Sequence, residues 1–149
     1  AGKNSNSLPG CPNLIERIEG GLFSYGNEMT IANNPLEIGL EKYCTLDGSI
    51  DFIGREKLQE IAKSGVKQKI KGIIFDGDPC PTCSVPWPVT VGEKQVGAIT
   101  SAIWSPRFKS NIGLSMINHK FWEKGQPVNV HVPNEAVYNG KISDTPFKD

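Results

Sequence analysis

Past Gly65 the chain reads as a succession of short strands, and no other feature limits its fold so tightly. The runs "KQKIKGIIFDG", "WPVTVG", "KQVGAITSAIW", "NIGLSMIN", "PVNVHV" and "AVYNGKISD" are strand-like, and each is bounded by Gly, Pro, Asn or Asp. "VGEKQ" reads as a hairpin turn. Five or six short strands so closely spaced predict a small antiparallel barrel or sandwich.

Before Gly65 the character is mixed. Pro12 suits a first helical turn, and Leu14, Ile15, Ile18 and Leu22 follow at helical spacing until Gly20-Gly21 predicts a stop. The clearest helix is "GREKLQEIAKSG", with Leu58, Ile61 and Ala62 as its apolar face, Glu56 in its first turn and Gly65 at its end. The organisation is therefore a mixed α/β segment over residues 1–65 and an all-β module over 66–149. The opening "AGKNSNSLPG" is polar and lacks an initiator Met, and it reads as the mobile start of a processed or cut chain.

The 149 residues carry 16 basic and 16 acidic side chains, a balance that argues against sequence-independent nucleic-acid binding. No apolar run approaches the ~20 residues of a membrane-spanning helix. With no secretory leader either, a cytoplasmic protein is expected. Of the four cysteines, only Cys80 and Cys83 in "PCPTCSVP" have metal or redox spacing. The prolines at 79, 81, 86 and 88 forbid the helix that a thioredoxin-like motif would open, so a stiff surface loop is the expectation and no metal site is assigned.

The common catalytic signatures are missing: no Gly-rich phosphate loop, no His-Glu-x-x-His, no G-x-S-x-G elbow. Three features remain. Arg17 and Glu19, at i and i+2, do not share a helix face, so at least one points toward the apolar side. Arg17 there would either hold a carboxylate bidentately or form a structural ion pair. Tyr25 in "FSYGNEM" would offer a flat face to a heterocycle, or be a core tyrosine. Trp104, just before the turn Ser105-Pro106, would wall a ligand cavity or cover the barrel end. Arg55 in "FIGREKL" reads as solvated.

Taken together, "RIEGGLFSYGNEM", "NPLEIGLEKY", "DFIGREKL", "TSAIWSPRF" and "NIGLSMI" resemble, in order and at fitting distances, the folate-dependent aminomethyltransferases of the glycine cleavage system and their relatives. The family pattern runs "R-[LI]-E-x-G-x-x-x-Y-G", "P-[LF]-E-x-G-L", "[DN]-F-[IV]-G-[RK]-E-x-L", "[ST]-[SG]-x-x-x-S-P" and "[NS]-I-[AG]-L-[AS]-x-[IV]". The opening "PGCPNLIERIEGG" and the short ending "DTPFKD" look more like the dimethylsulfoniopropionate demethylase branch.

The resemblance implies an α+β chain. Residues 1–65 would be the tail of the folate-binding α/β region with its linking helix, and residues 66–149 a small antiparallel β-barrel. It implies tetrahydrofolate as cofactor, a small-molecule methyl donor, and a partner in the absent N-terminal portion, where the family's catalytic aspartate lies. No catalytic residue falls in this chain. Arg17 and Tyr25 match family positions at the folate site, Glu19 is read as orienting Arg17, and Trp104 is the substrate-side candidate. The glycine-cleavage branch would bring a lipoylated carrier protein instead. A non-catalytic barrel module is the third reading.

Overall fold

The computed structural model describes residues 13–148. Pro12, Cys11 and the polar opening lie outside the described residues. Six strands are present: β1 (Gln68–Phe75), β2 (Trp87–Val91), β3 (Lys94–Ser105), β4 (Ser110–Asn118), β5 (Pro127–His131) and β6 (Val137–Ser143). They close into a barrel in the order β1-β4-β3-β2-β5-β6, with every pair antiparallel. Of the two architectures that strand spacing allows, the chain adopts the barrel. Closure leaves no free edge.

Alternation along each strand fills the interior. Ile73, Phe75, Trp87, Val89, Ile99, Ile117, Val130 and Ile142 are buried in one cluster, with Phe75 and Trp87 meeting edge to face at 6.4 Å. The opposite face of β4 is also apolar, because a helix covers it. Helix α1 (Leu14–Glu19) lays Ile18 against Ile112, Leu114 and Phe147. Phe147 reaches this cluster across Gly72, where an added Cβ would come within 2.7 Å of its ring.

Asn13 caps α1 by accepting from Glu16 N at 2.9 Å. The stop predicted at Gly20-Gly21 is a Schellman turn. Leu22 N donates to Arg17 O at 2.9 Å and Gly21 N to Ile18 O at 3.0 Å, with Gly21 at φ 63°. Helix α2 (Arg55–Ser64) forms as predicted but contributes no buried residue, and Ala62 of its expected apolar face is exposed. Arg55 is not solvated as the sequence suggested. Its side chain is only 23% exposed, pairs with Asp51 at 3.4 Å and leaves its Nε buried without a partner.

Candidate functional site

Helix α1 sits on the outer face of β3, and register decides what it meets there. Side chains two apart on a strand share a face, so Ser101, Ile103 and Ser105 all point from β3 toward the helix. Arg17 and Glu19 straddle the buried Ile18 and each takes one of the two serines. Arg17 Nη2 donates to Ser101 Oγ at 2.7 Å, and Ser105 Oγ donates to Glu19 Oε1 at 2.5 Å. Both residues therefore face the barrel, one on each side of the apolar contact.

Glu19 does not orient Arg17. Its carboxylate is engaged by Ser105, and its backbone carbonyl accepts from Phe147 N at 3.0 Å. The carboxylate beside Arg17 belongs to Glu28, whose side chain is wholly shielded from solvent, whereas that of Arg17 is 16% exposed. Nη1 of Arg17 lies 3.0 Å from Glu28 Oε2 and 3.0 Å from Leu22 O. Glu28 also accepts from Ser24 N at 2.6 Å and from Ser101 Oγ. Ser101 thus accepts from the guanidinium and donates to the carboxylate, closing a ring of three side chains. A buried charge needs such company.

Tyr25 stands on the turn that Glu28 anchors. Gly26 N donates to Met29 O at 2.8 Å, Tyr25 and Met29 form an isolated bridge, and the Tyr25 side chain emerges 71% exposed. It is not a core tyrosine. Trp104 is half-buried and pairs with Asn111 on β4. The same register that brings Ser101 and Ser105 to α1 puts Trp104 on the other face of β3. The structure therefore brings Arg17, Glu19 and Tyr25 to one junction and leaves Trp104 at the barrel end.

Beside this junction a crevice of about 610 Å³ opens between the helix end and β1, lined by Leu22, Phe23, Met29, Tyr43, Lys69 and Pro146 among others. Of its basic groups, Lys69 pairs with Glu41 at 2.6 Å and Lys71 with Asp144 at 3.0 Å, while Lys42 lies over the Tyr43 ring at 4.8 Å. The hydrogen bond and charge of Lys71 hold the Asp144 carboxyl below its ordinary value. Partial burial raises that of Glu41, but Lys69, a backbone hydrogen bond and the charge of Lys71 together outweigh it and the net direction is down.

The loop over residues 76–86 has no helix, and Asn111 organises it from the barrel end. The Asn111 amide donates to Asp76 O at 3.1 Å and Asp78 O at 2.9 Å and accepts from Cys80 N at 2.9 Å. Cys80 and Cys83 pack partly buried against the core, and burial pushes both thiols up to about 11.

Sequence reasoning missed Glu28, Ser101 and Ser105. The signal was there only in part: two serines at i and i+4 in a strand-like run face the same way, as "TSAIWS" shows.

Residues 68–149 match the family model described as the glycine cleavage T-protein C-terminal barrel domain. The chain is 41% identical over 134 residues to a dimethylsulfoniopropionate demethylase, DmdA, of Ruegeria pomeroyi, covering 90% of this chain and 36% of that protein. It is 37% identical over 131 residues to an aminomethyltransferase of Listeria welshimeri, covering 88% of this chain and 35% of that protein. The crystal structure of glycine cleavage system aminomethyltransferase T from Bartonella henselae superposes with a TM-score of 0.76 at 18% identity, over 89% of this chain and 37% of that one. The chain thus spans little more than a third of the length of these relatives.

Proposed function

We propose a function from one premise: the chain belongs to the glycine cleavage T-protein family, whose C-terminal barrel domain it carries. On that premise it is the C-terminal part of a tetrahydrofolate-dependent methyltransferase, and the methyl donor is the sulfonium of dimethylsulfoniopropionate. The observation supporting this donor is the 41% identity to the Ruegeria demethylase. That likeness, at 134 residues, is longer than the 68–149 barrel match and so takes in much of the helix and turn segment before it. Residues 1–65 are in this reading the end of the folate-binding domain with its linking helix, and residues 66–149 the barrel.

Tetrahydrofolate, when bound, would supply N5 as the acceptor of the methyl group. The side chains here fit a flat ligand better than an anion. Tyr25 presents an exposed ring on an anchored turn, which suits stacking on a heterocycle. Arg17, its charge paired with Glu28, fixes the helix end against β3 together with Glu19. Trp104 is left out of this set, because it lies on the other face of the strand. A neutral thioether leaves a sulfonium without being protonated, so no general acid is required of this chain. Its contribution is alignment, which alone is a large part of the barrier in a displacement between two bound partners.

The test is to mix the protein that carries this chain with tetrahydrofolate and dimethylsulfoniopropionate and to assay methyltetrahydrofolate. Product formation supports the reading. Folate binding without product, together with aminomethyl transfer from a lipoylated carrier protein, would move the protein to the aminomethyltransferase branch. A protein blind to folate would be left as a barrel-type interaction module.

A further inference from the structure

The guanidinium of Arg17 has little left to give a ligand. Each terminal nitrogen carries two N–H groups. Nη1 directs its pair at Leu22 O and Glu28 Oε2, both at 3.0 Å. Nη2 directs its pair at Ser101 Oγ, at 2.7 Å, and at Glu28 Oε1, at 3.5 Å. A charge already matched by a shielded carboxylate, with its fork of donors occupied, is in no position to clasp a second carboxylate bidentately.

What the arrangement does instead is mechanical. Glu28 gathers Ser24 N from the start of its own turn, Arg17 from the helix and Ser101 Oγ from the barrel. Tyr25 follows Ser24 directly, and its bridge partner Met29 follows Glu28 directly. The turn is thus clamped on both sides of the exposed ring. Ser101 is 5% exposed and lies where β3 shifts register against β4, so the clamp is anchored to an irregular point of the barrel wall.

We propose that Glu28 and Ser101 are positioning residues for the cofactor face. They fix the turn over residues 24–29, and through it Tyr25, relative to β3. Arg17 is the cationic bridge of the clamp and not the partner of a ligand anion. This rests on the folate reading above, with Tyr25 as the residue that meets the ligand.

The test is a double-mutant cycle with a second readout that needs no ligand. Tetrahydrofolate affinity is measured by calorimetry on the protein that carries this chain, for wild type, Ser101→Ala, Tyr25→Ala and the double variant. Amide hydrogen exchange of residues 24–29 is measured on the same proteins without ligand, with β1 and β4 amides as the control. Loss of the two charge-assisted hydrogen bonds that Ser101 makes, to Arg17 and to Glu28, is expected to weaken binding at least about tenfold and to speed exchange in the turn by a similar factor, with the strands unchanged. In the Tyr25→Ala background, Ser101→Ala is expected to cost affinity almost nothing. Strictly additive losses, or turn exchange at the wild-type rate in Ser101→Ala, would overturn the proposal. Should Ser101→Ala not fold, Glu28→Gln, which keeps the shape and removes the charge, is judged by the same two criteria. A wild type that does not bind tetrahydrofolate sinks the folate reading, and turn exchange then still decides whether the clamp exists.

Discussion

Removing the Arg17 guanidinium would strand the Glu28 carboxylate in a place water does not reach. Arg17→Ala is therefore expected to cost more than a surface ion pair would, on the order of 3 kcal/mol in urea denaturation. Arg17→Met combined with Glu28→Gln should cost less than Arg17→Ala alone, since no buried charge is left over. A double variant as unstable as the single one would contradict this. The cysteines give a second prediction at this scale. Burial pushes Cys80 and Cys83 up from 9.0 to about 11, so their reactive thiolates are scarce near neutrality. Alkylation by iodoacetamide, followed by peptide mapping, should be about 100-fold slower at both thiols than at an unburied one, and should still be rising between pH 9 and pH 11. A plateau by pH 9 would count against burial as the governing cause. Glu28 illustrates why the residue scale was only half legible. Ser24, four positions back, is a local partner, but Arg17 is 11 positions away and Ser101 73, and only the tertiary fold makes those two neighbours of Glu28.

Elements were easier to read, because their signals are local. The strands declared themselves by β-branched runs between turn residues, and the end of α1 by two glycines, the second at φ 63° where a left-handed residue is needed. The packing of α1 was hidden, because the buried partners of Ile18, namely Ile112, Leu114 and Phe147, lie 94 or more positions away. Arg55 was misjudged for the same reason: first-turn positions are usually solvated, and here the preceding segment folds back to cover it. The helix is held by a four-residue cluster of Ile18, Ile112, Leu114 and Phe147. Phe147→Ala should therefore destabilise the protein by about 3–5 kcal/mol, the usual cost of emptying a buried aromatic site. Differential scanning calorimetry reads this directly. Gly72, which that ring covers, makes a useful companion: Gly72→Ala puts a Cβ 2.7 Å from the ring and should lower the melting temperature through the same contact. An unchanged transition in both variants would show that α1 does not depend on this cluster.

At the scale of the molecule, two kinds of stability coexist. The barrel has a continuous core and no open edge. Ahead of it, Leu22, Tyr25, Ile31, Tyr43, Ile50 and Ile53 are exposed, and α2 buries nothing completely. Among the described residues, no helix is long and apolar enough to cross a membrane. The bond from Arg17 to Ser101 joins these two parts across 84 positions of sequence, and that separation has a consequence in time. The Glu28 carboxylate can shed its water only after β3 has been laid into the barrel wall, so the ring of Arg17, Glu28 and Ser101 belongs to the end of folding. Contacts formed after the rate-limiting step alter unfolding and leave folding alone. In stopped-flow experiments Arg17→Ala should refold near the wild-type rate and unfold faster by most of its lost stability. A slowed refolding limb would place the ring in the nucleus instead. On this ordering, the face that carries Tyr25 is the last part of the chain to take shape and the first to be given up.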